Sequence, residues 1–279
     1  MSFAYSCNSS LSDAHTPMHT NNSLTSDDTS HAQRSALDAA LQADNTACDD
    51  ASINAVIFDM DGTILDTLHD LATSVNHALV TNGCTPCSTS QVRAYLGNGA
   101  RNLIKQCVGD GAKPELYTRV FETFCAYYAT HHAEKTSPYE GIISLLKHLK
   151  QAHIKLGVLS NKPDCDVRAL VDTHFSDCFD VYAGASDAYP LKPAADHVFA
   201  MMDKLNTVPQ HCLYVGDSEV DIQTARNAHC RCASVSWGFR DKDELIQLGA
   251  NPLCSSVEEL KAYVDKHISA QTKYINASK

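Results

Sequence analysis

From about residue 53 onward the apolar residues fall into two rhythms, short unbroken runs and longer stretches in which they recur every third or fourth position. Short runs bounded by turn residues read as buried strands, and the spaced pattern reads as amphipathic helix. The expected strands are Ala55-Val56-Ile57-Phe58, Ile154-Lys155-Leu156-Gly157-Val158-Leu159, Asp180 to Ala183, Cys212-Leu213-Tyr214-Val215 and Cys232 to Val235. Helices are expected at Gly141 to Lys150, Pro163 to His174, Ala194 to Leu205, Glu219 to Ala228, Lys242 to Leu248 and Val257 to Lys266. Strands alternating with helices predict an α/β protein built on a parallel, doubly wound, Rossmann-like sheet.

One stretch departs from this alternation. Leu68, Leu71, Val75 and Leu79, then Leu103 to Val108, then Leu116, Val120, Phe124 and Tyr127 keep helical spacing, and no strand-like run lies among them. The economical partition is a small helical domain over 66–138, inserted into a core formed by 53–65 and 139–270. Residues 1–52 are dominated by Ser, Thr, Asn, Asp and His, too polar to offset the entropy of ordering, and are expected to form a disordered tail. They lack the basic start and apolar run of a secretory signal. Residues 271–279 are expected to be a second tail.

Composition narrows the partners. With 279 residues and 44% hydrophobic content the chain can bury a full core, and a net charge of −11 argues against nucleic acid or an anionic membrane, both of which are bound through basic surface. Since no apolar run reaches bilayer-spanning length, a cytoplasmic protein acting on a small molecule is expected. Twelve cysteines spread along such a chain read as buried or free thiols rather than a disulfide framework. Cys84-Thr85-Pro86-Cys87 has redox or zinc spacing but no second pair at zinc-finger distance.

The candidate chemistry sits at strand ends. In Asp59-Met60-Asp61-Gly62-Thr63, two acids one residue apart end a buried strand, where α/β sheets bind ligands and a cation can neutralise both. A calcium loop would need a third oxygen ligand, a later glycine and a closing glutamate, which this stretch lacks. Ser160-Asn161-Lys162, Lys192-Pro193 and Gly216-Asp217-Ser218-Glu219-Val220-Asp221 stand at further strand ends or helix starts. Taken singly they read as a helix cap, a lone lysine and a turn; taken together they converge on one sheet edge. His69, close to the first motif, reads as a solvated histidine at a helix start.

Asp59-Met60-Asp61-Gly62-Thr63-Ile64-Leu65-Asp66-Thr67 resembles the first motif of the haloacid dehalogenase-like hydrolase superfamily, chiefly phosphatases, and the other three motifs follow in that family's order. The resemblance covers about Ile53 to Asp265. It implies that Asp59 is a nucleophile forming an aspartyl-phosphate and that Asp61 is the general acid/base. It also implies that Ser160 and Asn161 hold phosphoryl oxygens, that Lys192 balances charge, and that Asp59, Asp61, Asp217 and Asp221 hold Mg2+. The helical insertion resembles the cap domain of the subfamily that carries its cap after the first motif. Its Leu96-Gly97-Asn98-Gly99-Ala100-Arg101 stretch is similar to the cap loop of phosphoglycolate phosphatases, which points to Gly97, Asn98, Gly99 and Arg101 as substrate-specificity residues. The implied reaction is magnesium-dependent hydrolysis of a small phosphorylated metabolite, 2-phosphoglycolate first. A phosphosugar mutase, a pyrophosphatase or a nucleotidase would share the core residues, and a non-catalytic scaffold is the reading from another class. Trp237 and Phe239 are expected to pack the core edge.

Overall fold

The computed structural model describes residues 52–268, so the two expected tails, apart from Ser52, lie outside the described residues. Strand β1 (Ala55–Phe58) sits inside a six-stranded parallel sheet between β4 (Lys155–Pro163) and β6 (Cys212–Gly216). Beyond β4 lies β5 (Val181–Ala185); beyond β6 lie β7 (Arg231–Val235) and β8 (Leu253–Cys254). Because both faces of β1 are covered, all four of its residues are buried and its sequence does not alternate. Val56 and Phe58 join the core under α5 (Ile142–Gln151), α6 (Asp164–His174) and α10 (Val257–His267). Ala55 and Ile57 face the opposite core under α7 (Asp196–Leu205) and α8 (Glu219–Asn227), and a short helix α9 (Lys242–Gln247) follows β7. Successive strands run outward on one side of β1 and then on the other, so the strand order reverses at β1, and its carboxyl end opens where ligands bind in such sheets.

Four helices fill the interval after β2 (Leu65–Asp66): α1 (Leu68–Thr81), α2 (Thr89–Tyr95), α3 (Gly99–Val108) and α4 (Pro114–His131). They share an apolar cluster of their own around Val75, Leu79, Ile104, Val120 and Phe124. The chain enters and leaves this layer through an antiparallel ribbon in which β2 pairs with β3 (Ser137–Pro138). The buried carboxylate of Asp70 pins the exit: Lys135 N and Thr136 N donate to it at 2.9 and 2.8 Å, and Thr136 Oγ1 donates at 2.8 Å.

Several details differ from the sequence expectation. Helix α2 was not expected, because it buries only Val92; a capping box between Ser88 and Gln91 starts it. In α4 the buried row runs Val120, Phe124, Tyr128, whereas Tyr127 is half-buried and stacks on His77 and His131. The ribbon and β8 are two residues per strand, too short to carry a period. Strand β4 continues past Leu159 to Pro163 with a register irregularity between those two residues, which presents Ser160 to Lys162 at the sheet edge. Among the described residues no helix is long and apolar enough to cross a membrane. Cys84 and Cys87 are free thiols packed against the helical layer, and Cys107, Cys178, Cys212, Cys230, Cys232 and Cys254 are free as well.

Candidate active site

The loop after β1 is shaped by its own backbone. Asp59 N donates to Val215 O at 2.8 Å, extending the ladder with β6, and Met60 O then accepts from both Ile64 N and Leu65 N at 3.0 Å. That turn sets Asp59 and Asp61 at the head of β1. Gly62 is required here for two reasons: its φ is +87°, and a Cβ would stand 2.4 Å from Asp217 Oδ2. Gly238 closes on the same carboxylate, since a Cβ there would lie 2.3 Å from Asp217 Oδ2. Asp217 is thus held between two glycine backbones, accepting from Thr63 Oγ1 at 3.2 Å and from Phe239 N at 2.5 Å.

Asp59, Asp217 and Asp221 are buried and offer carboxylate oxygens that all lie within 4.8 Å of one another. Lys192 is the counter-charge: its Nζ donates to Asp59 Oδ1 at 2.7 Å and to Asp221 Oδ1 at 2.9 Å. Burial alone would lower the Lys192 pKa; Asp221 and Asp59 more than offset this and hold it well above the ordinary lysine range. One ammonium against three carboxylates leaves the cluster short of positive charge. Burial, reinforced by Asp221 and Asp217 and opposed by Lys192, pushes Asp59 well up; burial and then Asp221 push Asp217 up to about 7. A buried all-oxygen set short of positive charge fits a hard divalent cation and lacks the sulfur or imidazole donors that zinc favours. Asp221 also accepts from Ser218 N at 3.1 Å and Ser218 Oγ at 2.6 Å, which starts α8.

Asp61 has a lysine of its own. Lys162 Nζ lies 3.1 Å from Asp61 Oδ1 and donates to the Tyr128 hydroxyl at 2.8 Å, and its side chain is 5% exposed. Ser160 Oγ donates to Asp61 Oδ2 at 3.5 Å and accepts from Lys162 N at 3.1 Å. Burial would lower the Lys162 pKa, but Asp61, Tyr128 and Asp166 reverse the shift and raise it; burial pushes the Tyr128 hydroxyl up to about 12. Asn161 clasps Lys192 through its backbone, accepting from Lys192 N at 2.8 Å and donating to Lys192 O at 3.0 Å.

The helical layer meets the site at several places, among them Arg93 Nη2, which donates to Gly238 O at 3.0 Å. Asn161 Nδ2 donates to Gly97 O at 3.2 Å, and Gly99, with φ +80°, sits where a Cβ would come 3.4 Å from Asn161 O. Tyr128 reaches Lys162. Buried Arg240 donates from Nε and Nη2 to both oxygens of Glu219, at 2.7 and 2.9 Å, and from Nη2 to Leu96 O at 2.9 Å. Asn98 precedes α3 without a side-chain capping bond, and the exposed Arg101 guanidinium lies 4.6 Å from the Phe121 ring centroid.

The structure therefore gathers Asp59, Asp61, Ser160, Asn161, Lys192, Asp217 and Asp221, brings Gly97 and Gly99 to their rim, and has Arg101 exposed against Phe121. Sequence reasoning passed over Lys162 and Tyr128. The lysine stood inside a motif already singled out, and the tyrosine is one position from the helical row read off the sequence. His69 is exposed, as expected. Trp237 packs at the core edge with its indole N–H donating to Thr63 O at 3.0 Å, but the Phe239 ring joins the apolar cluster of the helical layer.

Residues 56–235 match the haloacid dehalogenase-like hydrolase family. Phosphoglycolate phosphatase 1 of Pseudomonas aeruginosa is 32% identical over 217 residues, covering 76% of this chain and 79% of that protein. The phosphoglycolate phosphatase of Psychrobacter arcticus is 30% identical over 224 residues, covering 77% and 96%. A crystal structure from Lactobacillus delbrueckii subsp. bulgaricus, provisionally described as a phosphoglycolate phosphatase, superposes with a TM-score of 0.73 at 33% identity and covers 76% of this chain and 98% of that one. The chain belongs to the haloacid dehalogenase-like hydrolase family, and within it is a phosphatase.

Proposed function

We propose that this protein hydrolyses 2-phosphoglycolate to glycolate and phosphate, with Asp59 as nucleophile and Asp61 as general acid/base. The observation that carries the reading is that these two carboxylates, two residues apart, are each paired with a separate buried lysine, Lys192 at 2.7 Å and Lys162 at 3.1 Å. An ion-paired carboxylate on a rigid strand end is positioned for in-line attack. Asp59 attacks phosphorus, the ester P–O bond breaks, and the leaving oxygen takes a proton from Asp61, which enters this step as the neutral carboxylic acid. Asp61 then takes a proton from water, whose oxygen attacks the aspartyl-phosphate; phosphate leaves and the Asp59 carboxylate is restored. Ser160 and Asn161 orient the transferring oxygens, and Lys192 neutralises charge on the nucleophile.

Asp59, Asp217, Asp221 and the Asp61 backbone carbonyl are the groups that would hold Mg2+, which when bound offsets the charge of the approaching phosphoryl group. The four-helix layer acts as a cap domain over 66–138, with Gly97 and Gly99 allowing its backbone close to the core. The names of the relatives support phosphoglycolate as the substrate.

The test is kcat/KM across a panel of phosphate esters, including phosphoglycolate, hexose phosphates, nucleotides and pyrophosphate, with magnesium and with excess chelator. Phosphoglycolate is expected to lead and chelator to abolish turnover. Preference for another ester would overturn the substrate, and full activity in chelator would overturn the metal.

A further inference from the structure

Lys162 is a buried cation that the steps above leave without a task. Its ammonium has three N–H groups. Among the described residues, the Tyr128 hydroxyl accepts one of them at 2.8 Å, and Asp61 Oδ1 lies 3.1 Å away as an ion-pair partner outside hydrogen-bond geometry. Nζ also lies 4.7 Å from the centroid of the Tyr128 ring, so one residue of the helical layer meets the ammonium with both its hydroxyl and its ring. An ammonium buried this deeply loses its hydration; Asp61 and Asp166 offset its charge, and a ligand oxygen is the natural acceptor for an N–H that Tyr128 does not take.

Where that donor lies decides what it can read. Asp61 is the group that touches the ester's bridging oxygen, so a cation in contact with Asp61 stands next to the first atoms of the leaving group. In a phosphorylated α-hydroxy acid the carboxylate carbon is only two bonds from the bridging oxygen, which brings its carboxylate into that neighbourhood. Arg101, the other candidate, is exposed over Phe121. We propose that Lys162, steadied by Tyr128, is the specificity-determining residue that reads a carboxylate next to the scissile ester, restricting the enzyme to phosphorylated α-hydroxy acids. This rests on the proposed function and names the structural source of its selectivity.

The experiment compares kcat/KM for 2-phosphoglycolate and for ethyl phosphate, which keeps the two-carbon skeleton but has a methyl group in place of the carboxylate, in the full-length wild type, Lys162→Met and Tyr128→Phe. The wild type should prefer phosphoglycolate. Lys162→Met should lose about 10- to 100-fold more on phosphoglycolate than on ethyl phosphate, the range expected for one charge-assisted bond. Tyr128→Phe should lose about 3- to 10-fold in the same selective direction, and it carries the comparison alone if Lys162→Met does not fold. Equal losses on both esters would reduce Lys162 to a structural partner of Asp61 and overturn the proposal while leaving phosphoglycolate as substrate; so would a selective loss found only in Arg101→Ala. A wild type with no preference for phosphoglycolate would overturn the proposed substrate and the carboxylate reader together.

Discussion

The ammonium of Lys192 lies 2.7 Å from Asp59 Oδ1, a buried ion pair between residues 133 positions apart in the chain. Because Lys192 keeps Asp221 as a second partner at 2.9 Å, removing the charge of Asp59 does not strand it. Asp59→Asn is therefore expected to fold with a near-native circular dichroism spectrum and to lose all measurable turnover, since the amide keeps volume but cannot attack phosphorus. A folded variant with wild-type turnover would rule out the covalent route.

Asp61→Asn should behave differently. A general acid contributes most when the leaving group is poor, so the loss is expected to be about 10²- to 10⁴-fold on alkyl phosphates and much smaller on an aryl phosphate. The same factor for both leaving groups would count against proton transfer by Asp61.

Metal and pH should act together on stability. Burial and Asp221 raise Asp217 from an ordinary 3.8 to about 7, so between those values the folded protein holds a proton that the unfolded chain has released. In metal-free protein this destabilises the fold as pH rises through that window, and magnesium, which needs the ionised carboxylates, removes the penalty. At about 100 times Kd a bound ion contributes roughly 2.7 kcal/mol, or ~5–10 °C in Tm for a domain of this size. Thermal melts with and without magnesium should therefore separate more at pH 8 than at pH 5. Equal separations would remove Asp217 from the metal set.

Asp70→Ala tests the exit of the helical layer. It leaves the backbone N–H of buried Thr136 and that of Lys135 without their acceptor, and an unmet buried donor costs about 1–3 kcal/mol. A fall of ~2–4 kcal/mol in unfolding free energy is expected by denaturant titration. A loss below about 0.5 kcal/mol would show that water or a shifted loop supplies the acceptor.

Much of this architecture is legible in the residues because burial on both faces writes an unbroken apolar run into strands such as Ala55 to Phe58 and Cys212 to Val215. The carboxylates were readable for a related reason: Asp59, Asp61, Asp217 and Asp221 stand just past the ends of β1 and β6, so the topology brings them together, and Lys192 in the loop before α7 joins them. What could not be read was pairing across the chain. Nothing local in Lys162 marks a partner 34 positions earlier, and Tyr128 differs from Tyr127 only in which side of α4 it occupies. Leu253–Cys254 and the β2–β3 ribbon are likewise defined by their neighbours, since two residues set no rhythm.

The ribbon has a consequence for how such a protein can change over evolutionary time. Asp66 faces Ser137 and Leu65 faces Pro138, so the chain leaves the sheet and comes back to it at adjoining points. Whatever is threaded between those points, long or short, adds no tension to the strands beneath. The 70 residues from Thr67 to Thr136 can thus be exchanged, lengthened or recombined as one cassette, taking Tyr128 and the two rim glycines along while the carboxylates, Lys192 and Lys162 stay with the sheet.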